Sequence, residues 1–187
     1  MIIGITGTLG AGKGTVVEYL KTKGFKHYSA RDVWNEEIAR RGLPSNRDNM
    51  LLVANDLRAK YGPGYFSQKA LDRIEEQGGG DAVIESVRSI GEAEYLKSHG
   101  AMLWAVDADI KKRYARIDKR MSETDKVSFE EFVEDEQNEF INQDKNKPNL
   151  KVLIGMADVV LTNNGTQEAL FAHVEKTLQN NGLDGVS

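Results

Sequence analysis

A glycine-rich segment near the start of the chain contains the residues best suited to chemistry. It runs Gly7-Thr8-Leu9-Gly10-Ala11-Gly12-Lys13-Gly14-Thr15. Glycines allow backbone N–H groups to turn inward without interference from a Cβ. Lysine adds a mobile positive charge, and a hydroxyl group can ligate Mg²⁺. We therefore expect all nine residues to contribute to binding a polyphosphate such as the triphosphate of ATP, together with Mg²⁺.

The spacing within this segment matches that of a phosphate-binding loop. Gly7 and Gly12 bracket four residues and Lys13 follows, as in the pattern G-x-x-x-x-G-K. The segment lies between an apolar run, which predicts a buried strand, and the first turns of a helix. The start of that helix adds unpaired N–H groups and a positive dipole end. Gly14 stands where Ser or Thr usually follows the lysine, so Thr15 is the expected Mg²⁺ ligand.

A second candidate group follows a later apolar run. Residues 81–88 read Asp-Ala-Val-Ile-Glu-Ser-Val-Arg, which predicts a buried strand that ends in a carboxylate. Ligands of open α/β sheets bind at the carboxyl ends of the strands. We expect Glu85 to hold Mg²⁺ or its water shell, and Arg88 to reach a phosphate as a bidentate donor. The alternative is an exposed Glu and Arg at the end of a strand.

The predicted helix at 109–121 carries a stripe of arginines. Arg113, Arg116 and Arg120 recur at i, i+3 and i+7, beside an apolar stripe. Arginines next to a lid can supply positive charge to a transferring phosphoryl group. A solvated basic helix face is the alternative. The two interpretations balance at Arg113, and the functional one is favoured at Arg116 and Arg120.

Two turns hold further candidates. After the second predicted strand, Asp32 suits the dipole of a helix that begins there. Arg31 lies in the same turn, where a cation is disfavoured unless a phosphate or carboxylate partner offsets the cost. After the last predicted strand, Asn164 and Gly165 belong to a polar turn that can pass over a purine base.

Composition limits the classes of function. The chain has 187 residues, of which 40% are hydrophobic and 29% are charged, typical of one globular domain. No apolar run approaches the about 20 residues that span a bilayer, and the absence of Cys fits a reducing compartment. The apolar run at the first residues has no basic segment before it, so we expect no leader. We therefore expect a cytoplasmic monomer or homodimer that does not contact membranes. The net charge of −4 argues against nucleic-acid binding.

Short apolar runs alternate with longer amphipathic stretches along the chain. The predicted strands are 2–6, 26–28, 81–85, 101–107 and 158–162. The predicted helices are 14–23, 30–42, 47–60, 64–77, 89–98, 109–121, 128–142 and 166–180. This alternation predicts an α/β fold of three layers, with a five-stranded parallel sheet between helices on both faces.

We interpret the chain as one domain with two additions. The predicted core comprises 1–29, 81–120 and 150–187. Residues 30–77 have a helical pattern alone and are too many for one crossover, so we predict a helical insertion that binds an acceptor. Residues 121–149 are the predicted short lid.

These motifs together resemble the nucleoside monophosphate kinases, adenylate kinase among them. The loop ending in Gly-Lys-Gly-Thr, the insertion, the acid and Arg88, the arginine helix and the late turn at 163–165 occur in the same order along nearly the whole chain. Dephospho-CoA kinase and phage-type deoxynucleotide kinases share this architecture. The resemblance implies a P-loop kinase fold in which the loop and Lys13 bind ATP phosphates and Thr15 ligates Mg²⁺. It also implies that Arg88 contacts the acceptor phosphate.

The resemblance further implies that Arg116 and Arg120 clamp the transferring group. However, the chain departs from adenylate kinases after its second strand, where Ala30-Arg31-Asp32 replaces Thr-Gly-Asp and Asn35 replaces an arginine. The motif at 85–88 is one residue shorter, with Glu for Asp, and the short lid lacks zinc ligands. The acceptor therefore stays open among nucleoside or deoxynucleoside monophosphates and related nucleotides.

Two alternative functions remain at this point. In a dephospho-CoA kinase the acceptor is a sugar hydroxyl, which needs a general base, and Asp32 is the candidate. A regulatory P-loop ATPase that signals to a protein partner is less favoured, because the insertion and the arginine helix suit a second small substrate.

Overall fold

The computed structural model describes residues 1–120, 128–140 and 149–182. Within this part of the chain, five parallel strands form one sheet in the order β2-β3-β1-β4-β5. The strands are β1 (Ile2–Gly7), β2 (Lys26–Ser29), β3 (Ala82–Glu85), β4 (Met102–Asp107) and β5 (Val159–Thr162). The five predicted parallel strands are thus confirmed.

Helices cover both faces of the sheet, as predicted. They are α1 (Lys13–Thr22), α2 (Ala30–Arg40), α3 (Arg47–Tyr61), α4 (Tyr65–Glu76), α5 (Ile90–Ser98), α6 (Ile110–Arg120), α7 (Phe129–Phe140), α8 (Leu150–Met156) and α9 (Gln167–Asn180). The sequence pattern predicted all of them except α8. A short apolar run of this kind does not distinguish a strand from a helix.

The alternation of side chains along β1 explains the layers. Ile3 and Ile5 are fully buried on the face covered by α1 and α9. Gly4 points to the opposite face, where α5 and α8 pack. A Cβ at Gly4 would lie 2.7 Å from a methyl of Leu96, so glycine allows α5 to approach the sheet closely.

The strand order places the loop after β1 at the centre of the sheet. The chain leaves β1 between β3 and β4, which is the switch point where open α/β sheets bind ligands. The register brings Ser29 of β2 beside Glu85 of β3, and Asp107 of β4 beside Thr162 of β5. The chemically active side chains that follow these strands therefore meet at one edge.

Residues 30–77 form α2, α3 and α4, with a small apolar core of their own. Phe66 of α4 belongs to that core, whereas Ala70 and Ile74 further along the same helix pack against the sheet. Of the predicted lid, α7 is described, and 121–127 and 141–148 lie outside the described residues. Among the described helices, none combines the length and apolarity needed to cross a membrane.

Candidate active site

Left-handed glycines shape the loop between β1 and α1. Gly7, Gly10 and Gly12 have φ values of +134°, +77° and +100°, which residues with a side chain rarely adopt. A Cβ at Gly7 would overlap the carbonyl of Val106, and one at Gly10 would lie 2.7 Å from the carbonyl oxygen of Arg113. Both conformation and close packing therefore require glycine here.

The first turn of α1 opens onto this loop. Its N-cap, Gly12, supplies no side-chain cap, and the start of a helix can bind an anion through its N–H groups and its dipole. The ammonium of Lys13 donates hydrogen bonds of 2.8 Å to the carbonyls of both Gly7 and Thr8. Lys13 is thus folded over the loop. Thr15 lies half-buried in the same turn, and Gly14 is exposed.

Polar contacts tie the loop to β4 and β5. The buried hydroxyl of Thr8 donates a 2.7 Å hydrogen bond to Asp107 at the end of β4. The side-chain amide of Asn163, just after β5, donates to the carbonyl of Ala11 at 2.8 Å. Leu9, at the tip of the loop, is half-exposed. The conformation of the loop is therefore fixed by hydrogen bonds to residues at the ends of the neighbouring strands.

The arginine helix α6 supports the outer side of the loop. Arg113 is buried and donates to the carbonyls of Ala108 at 2.8 Å and Leu9 at 3.3 Å, and it forms an ion pair with Glu136 of α7. Arg116 donates to Asn163 O at 2.7 Å and, at 3.4 Å, to the loop carbonyls of Gly10 and Ala11. A solvated face is therefore the wrong interpretation for Arg113.

The proposed clamp by Arg116 and Arg120 stays a prediction. In this conformation the guanidinium of Arg116 is engaged with backbone carbonyls. Arg120 ends α6, and its side chain lies outside those that the structure describes.

Glu85 ends β3 beside the loop and stays ionised at neutral pH. A hydrogen bond of 3.0 Å from His27 is the main cause that lowers the pKa of this carboxyl. Burial opposes the effect, and the positive charges of Lys13 and Arg31 reinforce it. These charges act on Glu85 because all four side chains belong to the same edge of the sheet.

The residues near the loop suit Mg²⁺, which prefers oxygen ligands and keeps several waters. Thr15 offers a hydroxyl and Glu85 an ionised carboxylate. In the described residues, no three His, Asp or Glu side chains cluster as a metal cage. A cage is not required, because Mg²⁺ at nucleotide sites is held by one or two protein ligands and by the phosphates themselves.

The turn from β3 to α5 presents Arg88 to solvent. Ser86 adopts φ +70°, an uncommon conformation for a residue with a side chain. The next amide, Val87 N–H, donates to Ile5 O at 3.0 Å, which ties the turn to β1. Neither Arg88 nor Arg31, both exposed, has a guanidinium hydrogen-bond partner among the described residues.

The remaining candidates lie on two turns of the same edge. Asp32 is exposed in the first turn of α2, whose start is capped by Ser29. Asn164 accepts a 2.7 Å hydrogen bond from the N–H of Asp109, which fixes the late turn beside the start of α6. Gly165 follows it and is exposed.

Sequence reasoning missed the contacts of three residues that shape this site. Asp107 ends a buried strand just as Glu85 does, so the rule that found Glu85 could have found it. Asn163 was predicted only as part of the late turn. Its contact with Ala11 and that of His27 with Glu85 left no local signal, because these partners lie 152 and 58 residues away in the chain.

A parallel sheet of this order, with a phosphate-binding loop after its central strand and a helical insertion after β2, defines a P-loop kinase-like fold. Solved structures support this class. TT1252 from Thermus thermophilus is 22% identical, with a TM-score of 0.65 over 99% of this chain and 98% of its own. Shikimate kinase from Aquifex aeolicus is 16% identical, with a TM-score of 0.53 and coverage of 99% and 100%. Dephospho-CoA kinase from Campylobacter jejuni is 15% identical, with a TM-score of 0.53 and 96% of both chains covered.

Sequence comparison places the chain more closely. The profile of the family described as AAA domain matches residues 3–142. UPF0200 protein MJ1399 from Methanocaldococcus jannaschii is 30% identical over 182 residues, which cover 96% of this chain and 89% of that protein. UPF0200 protein TK1334 from Thermococcus kodakarensis is 29% identical over 182 residues, with 94% and 95% covered. The chain therefore belongs to this AAA-domain family, and it is also a member of the UPF0200 proteins.

Proposed function

We propose that this protein is a Mg²⁺-ATP-dependent kinase that phosphorylates a nucleoside or deoxynucleoside monophosphate, or a related nucleotide. One observation carries the proposal. The phosphate-binding loop with Lys13 shares its sheet edge with a separate set of charged groups at the ends of β2 and β3. A protein that only bound ATP would need the loop alone.

The second set of charges suits an anionic acceptor. Arg31 and Arg88 follow neighbouring strands, and both guanidiniums are exposed without a hydrogen-bond partner among the described residues. A cation in the first turn of α2 is disfavoured by the helix dipole. The Glu85 carboxylate offsets part of that cost, and a phosphate bound by both exposed arginines would offset more of it, so we assign both arginines to the acceptor.

The described residues support direct transfer between two phosphates. Lys13 would exchange its two carbonyl partners for the outer phosphates of ATP, and the N–H groups at the start of α1 would bind them from the other side. Mg²⁺, when bound through Thr15 and Glu85, would neutralise charge on the β- and γ-phosphates. An oxygen of the acceptor phosphate then forms a bond to the γ-phosphorus as the bond to the β-phosphate oxygen breaks and ADP leaves. The attacking oxygen of the acceptor phosphate is already ionised, so no general base is needed.

A panel of acceptors tests this proposal. ATP consumption is measured with each nucleoside monophosphate, each deoxynucleoside monophosphate and dephospho-CoA, with Lys13→Met as the inactive control. We expect one acceptor class to raise ATP turnover far above the rate without acceptor. If none of these acceptors raises ATP turnover, the proposal is overturned. Slow ATP hydrolysis whose rate no acceptor changes would favour the regulatory ATPase instead.

A hydroxyl acceptor is the second candidate, supported by one observation. Asp32 is an exposed carboxylate in the first turn of α2, just after β2, where it could take a proton from a sugar hydroxyl. Asp32→Asn should then abolish turnover with dephospho-CoA, whereas Glu36→Gln on the same helix should not. If Asp32→Asn keeps most of its activity, transfer to a phosphate is favoured.

The setting of the reaction is also part of the proposal. We propose a cytoplasmic monomer or homodimer that acts on small molecules without nucleic acid or a membrane. Light scattering of the purified protein would distinguish the two states, and a larger assembly would contradict both.

A further inference from the structure

A buried ion pair connects the helical insertion to the turn that carries Arg88. Arg58 of α3 donates a 3.2 Å hydrogen bond to Glu92 of α5, and the two side chains are only 12% and 3% exposed. The partners lie 34 residues apart, and a burial of this depth is rare for charged groups. The pair is therefore unlike the exposed ion pairs elsewhere on the insertion.

Glu92 holds the backbone of the turn. Its Oε2 accepts hydrogen bonds from the N–H of Arg88 at 2.8 Å and from that of Ser89 at 3.1 Å. The Ser89 hydroxyl in return accepts from the N–H of Glu92, which completes a capping box at the start of α5. The position of Arg88 thus depends on where the Glu92 carboxylate sits.

The counter-charge that allows Glu92 to be buried comes from the insertion. Backbone N–H groups already bond the Glu92 carboxylate, but a buried charge without a counter-charge is strongly destabilising, and the Arg58 guanidinium supplies that counter-charge. That guanidinium lies 4.9 Å from the ring centre of Phe66 and 6.0 Å from that of Trp34, within the apolar core of the insertion. Arg58 therefore packs within the insertion, although its ion-pair partner lies on α5 beside the sheet.

The insertion packs closely on the backbone of α5, but some of the buried hydrogen-bond donors near this contact have no partner among the described residues. A Cβ at Gly91 would lie 2.5 Å from Pro63, so the chain between α3 and α4 packs directly on the start of α5. Yet Arg58 Nε and Trp34 Nε1 are buried with no hydrogen-bond partner among the described residues. Each unsatisfied buried donor costs free energy, so this contact is less stable than a fully hydrogen-bonded one.

We propose that Arg58 and Glu92 are positioning residues whose ion pair transmits the position of the insertion to Arg88. An acceptor that shifts the insertion would in this way adjust the guanidinium that receives its phosphate. This inference rests on the proposed function only for the role of Arg88 in acceptor binding. The mechanical link between the insertion and the turn stands on the contacts alone.

Hydrogen exchange tests the link without ligand or turnover. The variants are Arg58→Met, which removes the charge but keeps the aliphatic volume, and Arg58→Lys, which keeps the charge. Arg41→Met is the matched control, because Arg41 pairs with Glu37 and Asp56 inside the insertion. We expect the amides of residues 88 and 89 to exchange at least tenfold faster in Arg58→Met, and to be partly protected again in Arg58→Lys. Unchanged protection of these amides in Arg58→Met would overturn the proposal.

Kinetics of the acceptor that supports turnover provide the second test. Arg58→Met should raise the KM for that acceptor about tenfold and leave the KM for ATP within twofold. In an Arg88→Ala background the same substitution should have no further effect on the acceptor KM, because Arg58 acts through Arg88. Additive effects would refute the transmission. If no acceptor supports turnover, the proposed function fails, and the exchange experiment still decides whether the link exists.

Discussion

Substitution of two glycines of the phosphate-binding loop separates conformation from packing. Gly12 has φ +100°, and a Cβ there would lie 2.5 Å from the side-chain amide nitrogen of Asn163. Gly14 is the residue that departs from the usual loop pattern. It lies in α1, outside the left-handed region, and a Cβ there would meet no heavy atom within 4 Å. Gly12→Ala should therefore destabilise the protein, whereas Gly14→Ala should not.

The expected cost of Gly12→Ala has two parts. An L residue in the left-handed region costs about 1–2 kcal/mol. The Asn163 amide must also move, which breaks its 2.8 Å hydrogen bond to the carbonyl of Ala11 and costs about 1 kcal/mol more. The free energy of unfolding should fall by about 2–3 kcal/mol, or about 4–12 °C in Tm for a domain of this size. Gly14→Ala should be neutral or raise stability by up to about 1 kcal/mol, because alanine favours helix.

Chemical denaturation and nucleotide titration of both variants provide the assay. Gly12→Ala should also weaken ATP binding more than tenfold, because the first N–H groups of α1 no longer point into the loop. Gly14→Ala should bind ATP within threefold of the unchanged protein. The reasoning fails if Gly12→Ala is as stable as the unchanged protein, or if Gly14→Ala loses as much stability as Gly12→Ala.

Three further substitutions test separate parts of the structure. Lys13→Met should abolish measurable ATP binding in calorimetry with a Tm within a few degrees of the original, since one of the two carbonyls it leaves, that of Thr8, keeps its hydrogen bond from the N–H of Ala11; retained affinity would count against Lys13 as a phosphate ligand. Arg116→Met should lower the free energy of unfolding by about 1.5 kcal/mol, because a charged hydrogen bond to a partly buried carbonyl is lost. Urea unfolding measures this free energy, and an unchanged value would contradict the prediction. Hydrogen bonds from Arg40 and Arg41 lower the pKa of Glu37 from 4.5 to about 2, so its ionised form stabilises the fold at neutral pH, and this contribution is lost as pH falls from about 5 toward 2. Because both arginines reach solvent, Glu37→Gln should cost about 1 kcal/mol at pH 7 and progressively less at pH 4 and 3; a gap that widens on acidification would contradict this sign.

The features predicted from sequence are those with a local physical cause. Strand, glycine turn and helix follow one another within about twenty residues, so their spacing alone predicts the phosphate-binding loop. Glu85 was found because a buried strand that ends in an acid places that acid at the ligand-binding edge. The helix α8 was missed because a seven-residue apolar run has no period that separates helix from strand.

The arginine helix shows where local reasoning ends. Periodicity placed Arg113 and Arg116 on a face beside the apolar stripe, but it did not distinguish solvent from protein opposite that face. In the structure the loop carbonyls and Glu136 of α7 occupy that space, so Arg113 is buried. The identity of the opposing surface depends on how β1, α6 and α7 pack.

The sequence by itself determined the loop, the parallel sheet and the edge at which charged side chains gather, because each follows from neighbours in the chain. Only the tertiary structure decided what holds that edge in place. Asn163 supports Ala11 from 152 residues away, and Arg58 neutralises Glu92 across the boundary of the insertion. Such contacts have no sequence period, since they form only after the strands have paired and the helices have packed against them.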